Sequence, residues 1–486
     1  MDQLHFTPSL KILNEDQLST IDAATLKLLE KTGVTITHPQ AIEILQGAGC
    51  TIAQSRVRIP AELVKKAIST APKRVVLGNR DDSRQLVLEG AATYFGATID
   101  CVNYLDPETG TISECRSKDG IAMARLCDRL DNYDWIMTLG IARDLPESIQ
   151  DRGVARIALE HCSKPVIVSC NDGASLKEIY EMALLCKVGG EEAFKKAPIM
   201  GTLNCTISPL THDDHLVEKN IYAAQKGIPI VHYSGMQLGG SFPATLASGI
   251  VMGAAESLSG LVLQQLINPG APFVFGSFIT IMDMKSTIFS YGAIEMAMMV
   301  GGMAQLSQRY GLPFFGTAGC TDAKQVDVQA AVEGSLQDLV MATVGGGLVH
   351  DTHCWLDHGS TLSPEHLVLG QEILAMVKTF SRGIDVSTDT LALELIDTIG
   401  PGGTFLMDPH TMENFRNVLY LELFERTKAL PPGAKEASPF ALRLKAKTLE
   451  LMASPATHPL ADDIVAELSR RQDGWIAGQL TGKEKR

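Results

Sequence analysis

Residues Gly311–Trp355 read GLPFFGTAGCTDAKQVDVQAAVEGSLQDLVMATVGGGLVHDTHCW. The run Leu312–Gly316 is short, apolar and opened by Gly-Leu-Pro, which predicts a strand. Thr317–Gln325 is small and polar and predicts a loop. In Val326–Met341 the residues Val328, Val332, Leu336 and Leu339 fall at helical spacing, like one helix face. Gly345-Gly346-Gly347 ends that helix, and Leu348–Cys354 returns to strand. Polar groups follow each strand: Thr317 and Asp322 after the first, His350, Asp351 and His353 late in the second. A parallel α/β fold presents its site in this way.

The same rhythm extends outward. Strand-length apolar runs recur at Thr93–Gly96, Trp135–Leu139, Pro165–Ser169, Pro198–Thr202, Pro229–His232, Pro272–Gly276, Pro313–Gly316 and Leu348–Asp351, each followed by a helical pattern. Continuous apolar strands alternating with helices imply a parallel sheet buried on both faces. Eight repeats predict a closed (β/α)8 TIM barrel. The competing reading is an open doubly wound sheet. No GxGxxG and no Walker lysine follows any strand, which weighs against it.

Residues 1–90 read as an N-terminal α+β cap region. Asn14 and Gln17 form a capping box for a helix to Lys31, followed by short strands and helices. Residues 91–360 hold the barrel, and 361–486 read as C-terminal helices packed on it, with Thr388–Ile399 and Pro409–Ala429 among them and a Pro/Gly/Ser-rich break over Leu430–Pro439.

Bulk properties narrow the function. The chain has 486 residues, 45% of them hydrophobic, enough for a large core. Net charge is −14 and the one basic cluster is the short tail Lys483–Arg486, so nucleic acid is not an expected partner. The apolar run near Ile250–Leu266 is interrupted by Glu256, Gly and Ser, and the N-terminus lacks a signal-peptide pattern. Ten scattered cysteines without a CxxC pair suit free thiols in a reducing cytoplasm.

Barrel geometry places strand carboxyl ends at one mouth. The expected mouth residues are Tyr94, Phe95, Gly140, Cys170, Asn171, Asn204, Cys205, Tyr233, Met236, Gln237, Ser277, Phe278, Thr317, Cys320, His350 and His353. None is Lys or Arg, which argues against a phosphorylated substrate and suits a compact cation held by aromatic faces. Any one of these aromatics could equally fill the barrel. His350 could be a buried structural histidine. His350, His353 and His358 raise the question of zinc, but they lack ligand spacing with a cysteine–histidine cluster, and no tightly bound metal is expected. Glu333, on the helix after Asp322 and near Gln329, reads as a carboxylate in a polar network. Cys320 has no demonstrable histidine partner as a nucleophile.

These residues sit in longer blocks: Pro243–Gly249 (PATLASG), Ala255–Gly260 (AESLSG), Pro269–Gly276 (PGAPFVFG), Thr321–Glu333 (TDAKxxDxQAxxE) and the glycine-rich last strand. In this order the chain resembles the trimethylamine methyltransferase family over nearly its whole length. The resemblance implies a barrel that moves a methyl group from a methylamine to the cobalt of a corrinoid (cobalamin) on a separate, cognate partner protein. The founding members carry pyrrolysine in the site. Every position here is a standard residue, so the chain resembles the non-pyrrolysine branch, which includes enzymes for quaternary amines such as glycine betaine.

The resemblance makes glycine betaine the favoured substrate, with carnitine and proline betaine as alternatives. The roles expected are Tyr94, Phe95, Tyr233 and Phe278 around the cation, Asn204, Gln237 and Thr317 on the polar end, and His350 at the substrate carboxylate or the corrinoid. Asp322, Gln329 and Glu333 are the supporting network. A non-catalytic amine-binding protein and a folate-linked methyltransferase remain the other classes. A homo-oligomer is permitted by the acidic, helix-rich composition but not required by it.

Overall fold

The computed structural model describes residues 4–419, 421–426, 429–430, 432–433 and 439–483. Eight parallel strands close a barrel: β1 (Thr93–Ile99), β2 (Trp135–Leu139), β3 (Val166–Val168), β4 (Met200–Thr206), β5 (Ile230–Leu238), β6 (Phe273–Ile281), β7 (Phe314–Thr317) and β8 (Gly347–His350). Each pairs with the next, and β8 pairs with β1 through Leu348 opposite Tyr94. All eight coincide with the apolar runs read from sequence. The strands β1, β4, β5 and β6 continue several residues beyond those runs toward the mouth.

The crossover helices are α1 (Ser117–Arg129), α2 (Gln150–His161), α3 (Gly173–Cys186), α4 (Asp214–Lys226), α5 (Leu246–Ile267), α6 (Ile294–Tyr310) and α7 (Val328–Val344); α8 (Pro364–Ser381) follows β8. The turn from α7 into β8 requires glycine. Gly345 and Gly347 have φ of +85° and +66°, and a Cβ on Gly347 would lie 1.9 Å from the carbonyl oxygen of Phe314 on β7. The triple glycine is therefore a close backbone crossing.

The N-terminal region does two jobs. Helices Glu15–Lys31, Pro39–Gly47 and Ala61–Thr70 pack on α5. With the barrel on one side and these helices on the other, α5 is apolar nearly all round. It is the one described helix long and apolar enough to cross a membrane, and here it is a covered core helix. The hairpin Val75–Gly78/Gln85–Leu88 closes the amino end of the barrel. Its Val75, Leu77, Leu86 and Leu88 pack against Trp135, Ile167, Val231, Val274, Phe315 and Leu348 from six barrel strands. Each such side chain contributes roughly 1.5–3 kcal/mol by leaving water.

The α7 stripe of Val328, Val332, Leu336 and Leu339 points away from the core. Val328 is 79% exposed and Val332 52%, while Ala330, Gly334, Gln337, Asp338 and Met341 form the packed face of α7. Small and polar residues pack there because the ring of His353 presses against Gly334, leaving no room for bulk. Helical periodicity finds the apolar stripe but not which way it points.

Among its described residues, the expected helix Pro409–Ala429 is helical only over Pro409–Asn414 with a further turn to Asn417. Leu421 and Leu423 then alternate into the core as irregular chain, and the Leu423 amide donates to Glu372. Thr388–Ile399 breaks at Ala392, whose φ is +49°. The Leu430–Pro439 break and the basic tail fall largely outside the described residues. Helices Phe440–Ala453 and Asp462–Lys483 pack on the barrel helices α8, α1, α2 and α3.

Candidate functional site

Strand alternation turns Tyr233 of β5, Phe278 of β6, Phe315 of β7 and His350 of β8 toward the barrel axis. Their rings form one cluster. His350 stacks on Phe315 at 4.4 Å and 18°, with Phe278 at 5.4 Å and Tyr233 at 6.3 Å. Gly276 lies opposite Tyr233 in register, and a Cβ there would fall 2.5 Å from the tyrosine side chain. The β6–α6 loop adds Phe289 and Tyr291, each within 5.3 Å of Phe278 by ring centroid, and Trp355 closes on Tyr291 at 4.6 Å. Tyr233, Phe289 and Tyr291 are half-buried, so this aromatic wall is open toward the mouth.

His350 is held from two sides. Its Nε2 meets the hydroxyl of Thr317, its register partner on β7. Its Nδ1 lies 3.1 Å from Oδ1 of Asp351. Asp351 adopts φ of +67°, is fully buried, and neither of its carboxylate oxygens has a hydrogen-bond partner among the described residues. A buried carboxylate without a donor is costly unless a charge completes it.

Asp100 stands just past the end of β1, the strand that neighbours β8 in the barrel. Its carboxylate accepts from Thr138 Oγ1 at 3.0 Å. Its side chain is exposed to solvent within a recess whose walls are protein. That enclosure pushes its carboxyl up to about 6; hydrogen bonds from Thr138 and Ser169 oppose the rise, and the charges of Asp351 and Asp151 add to it. Asp100 opens a cavity of about 240 Å³ also lined by Glu147, Asp151, Ser169 and Asn171.

A third group ties the loops above β6, β7 and β8 together. Asp322 accepts from the amides of Tyr291 and Gly292 and contacts His358 Nδ1 at 2.7 Å. Glu333 accepts from Thr321 Oγ1, the Asp322 amide and Gln329 Nε2. Lys324 bridges Asp357 and His358. Asp322, Gln329 and Glu333 thus form one network, at the rim and not within the aromatic cluster.

Similarity to known proteins places this geometry. The family model for trimethylamine methyltransferase matches residues 3–473. The chain belongs to the trimethylamine methyltransferase family. It is 30% identical to a trimethylamine methyltransferase of Desulfitobacterium hafniense over 94% of this chain and 92% of that one. It is 27% identical to a glycine betaine methyltransferase of Desulfitobacterium hafniense strain Y51 over 95% and 96% of the two chains. The fold is similar to the crystal structure of the Methanosarcina barkeri monomethylamine methyltransferase, with TM-score 0.51 at 11% identity over 92% of this chain and 88% of that one.

In this methyltransferase the quoted motifs have clear places. PGAPFVFG leads into and forms the first half of β6, and TDAKxxDxQAxxE is the loop and first turns of α7 that build the rim network. Several expected mouth residues lie elsewhere. Tyr94 sits at the closed end of the barrel, its hydroxyl near the backbone of Val87 in the plugging hairpin. Phe95 points outward into the core between barrel and helices. The reason is that β1 runs on to Ile99, so its carboxyl end comes several residues later than the apolar run suggests.

Asn204 also faces outward, fully buried, with Nδ2 donating to the carbonyl of Leu216 on α4. Gln237 is half-buried near the end of β5, with Oε1 unpartnered. Thr317 is fully buried and engaged with His350. Cys320 is buried and its thiol is pushed well up by burial, so it is no nucleophile. The three histidines diverge: His353 bonds Asp338 and His366, His358 bonds Asp322, and His350 bonds Thr317. No group of three His, Cys, Asp or Glu among the described residues has metal-site geometry.

Sequence reasoning missed Asp100 and Asp151, and it noted Asp351 beside His350 without giving it a role. Asp100 becomes visible when Thr93–Ile99 is taken as one strand. Asp351 follows the inward-facing His350, and only its left-handed backbone turns it back toward the same residue.

Proposed function

We propose that the protein transfers a methyl group from a quaternary amine to the cobalt(I) of a corrinoid carried by a separate partner protein. The observation that carries this reading is the pairing of an open aromatic wall with the buried carboxylate of Asp351, whose oxygens have no hydrogen-bond partner among the described residues. Aromatic faces and a carboxylate are the groups that hold a tetraalkylammonium, which has no N–H to donate. The corrinoid is a co-substrate in this reading and supplies the nucleophile that takes the methyl as the C–N pair leaves with nitrogen. Tyr233, Phe278 and Tyr291 would hold the cation, and His350, fixed by Thr317, would orient it beneath the mouth. Precise aim of one N-methyl is the main contribution required. The countercharge favours the bound cation over the neutral tertiary amine, so it aids binding and product release more than the transfer step.

Glycine betaine is the substrate favoured by the resemblance, and a relative bears that name. Carnitine and proline betaine stand beside it. The partner would dock over the barrel mouth, in the cytoplasm. A second copy of the chain would cover the exposed stripe of α7, because the chain also carries an apolar arm over residues 381–419 without one buried residue. The stripe borders a groove of about 660 Å³ completed by Leu369, Ile373, Met376 and Phe440.

The test is incubation with a cobalt(I) corrinoid protein and each quaternary amine, following the change in corrinoid absorbance. Methylation supports the reading. No methylation with any quaternary amine rejects it; tight amine binding without turnover would mark a binding protein, and methylation of a folate instead would mark the folate-linked class.

A further inference from the structure

We infer that the mouth selects quaternary ammonium ions that carry no carboxylate, with Asp351 and Asp100 as the countercharge. This rests on the proposed quaternary-amine reading and narrows it. Glycine betaine, carnitine and proline betaine are zwitterions, and each needs a cationic or N–H-rich partner for its carboxylate. The mouth offers the reverse.

The charges around the mouth support this. The cavity beside Asp100 holds the carboxyl groups of Asp100, Glu147 and Asp151 and no lysine or arginine. The nearby cations are committed. Arg152 pairs with Glu178 at 2.6 Å and with Asp151 at 3.4 Å, and donates to the Ser148 carbonyl. Lys219 is buried and donates to the carbonyls of Cys170 and Leu203. Arg143 and Lys285 stand exposed on the loops after β2 and β6, outside the lining. The aromatic wall contributes one titratable base, His350, already engaged with Thr317 and beside Asp351.

Asp351 is the independent sign of a ligand. It is fully buried, both oxygens lack a hydrogen-bond partner among the described residues, and it lies next to the inward-facing ring of His350. A second carboxylate brought close to it, from a zwitterionic substrate, would be repelled. A cation with a neutral tail, such as a hydroxyalkyl group, meets the polar groups of Ser169, Asn171 and Gln237 without that repulsion.

The experiment compares choline and tetramethylammonium with glycine betaine, carnitine and proline betaine as methyl donors to a cobalt(I) corrinoid protein. Direct binding of each is measured in parallel by calorimetry on the full chain. A preference of about tenfold or more in kcat/KM for choline or tetramethylammonium over every zwitterion is expected. Preference for any zwitterion overturns the inference while leaving the quaternary-amine reading intact. Binding of tetramethylammonium without turnover of any amine rejects that reading and supports the selectivity. No binding of any quaternary ion rejects both.

Asp351→Asn should lose tetramethylammonium binding by about tenfold or more at an unchanged circular dichroism spectrum. Should this variant misfold, Asp100→Asn, at a solvent-reached position, serves instead. Full binding in a folded variant of both residues together overturns the assignment.

Discussion

The Nε2 of His350 meets the hydroxyl of Thr317 on the neighbouring barrel strand, while its Nδ1 lies 3.1 Å from Asp351. The two residues are register partners, so the contact is set by the barrel itself and not by a loop. His350→Ala is expected to lower methyl transfer by about 100-fold, as misplacement of a reacting group does. Thr317→Val keeps the shape and removes one hydrogen bond, with an expected loss of about tenfold at most. Single-turnover rates, with thermal melts as a fold control, check both; an unchanged rate in His350→Ala removes it from the site.

Asp100 predicts a pH dependence of binding. Its carboxyl, raised to about 6 by enclosure, gains a proton as pH falls through that value and loses its charge. KM for a cationic donor should rise below pH 6 by about fivefold, the worth of one screened charge pair of about 1 kcal/mol. Asp100→Asn should have the higher KM at neutral pH and little dependence between pH 7 and 5. A parallel pH profile in both proteins would discard this account.

Stability should fall in acid for a different reason. Burial lowers His212 to about 4 and His366 to about 3, from an ordinary 6.5. The unfolded chain then binds protons that the native chain refuses, so stability is full above pH 6.5 and declines as pH falls toward 4. At pH 5 each histidine costs roughly 2 kcal/mol. Asp100 acts in the opposite sense between pH 6 and 4, and less strongly because solvent reaches it. Urea midpoints should drop across this window, and His212→Gln should flatten the acid side.

Gly347→Ala tests the α7–β8 turn. The added methyl would fall 1.9 Å from the Phe314 carbonyl oxygen at φ of +66°. The expected loss is at least about 2–3 kcal/mol, seen as a lower melting temperature. Gly474→Ala, in an exposed helix with nothing within 4 Å, is the control and should be neutral or stabilising by up to about 1 kcal/mol.

Val332→Asp with Leu336→Asp addresses the outward stripe of α7, where both side chains are half-exposed or more. Light scattering should show a smaller assembly than the wild type, with a preserved far-ultraviolet spectrum. A wild type that is monomeric at working concentration would refute the proposed self-association.

The barrel was legible before any coordinates because each strand buries both faces. A run such as Val166–Val168 or Phe273–Gly276 must then be apolar throughout, and the turns between runs must be marked by Pro and Gly. The capping box at Asn14 was legible for an equally local reason, since both its bonds span three residues. The network of Asp322, Gln329 and Glu333 was within reach too, being built on one loop and one helix turn.

Direction and depth were decided only by the closed barrel. Tyr94 lies on β1 at the plugged end and Asp100 just past its other end at the mouth, because apolar patterning does not say where β1 stops. Spacing groups the stripe of α7 but does not orient it, and the ring of His353 against Gly334 claims the opposite face for the core. Asp351 acquires its meaning from groups far away in the chain: the closed barrel buries it, with no hydrogen-bond partner on either oxygen among the described residues and the ring of His350 beside it.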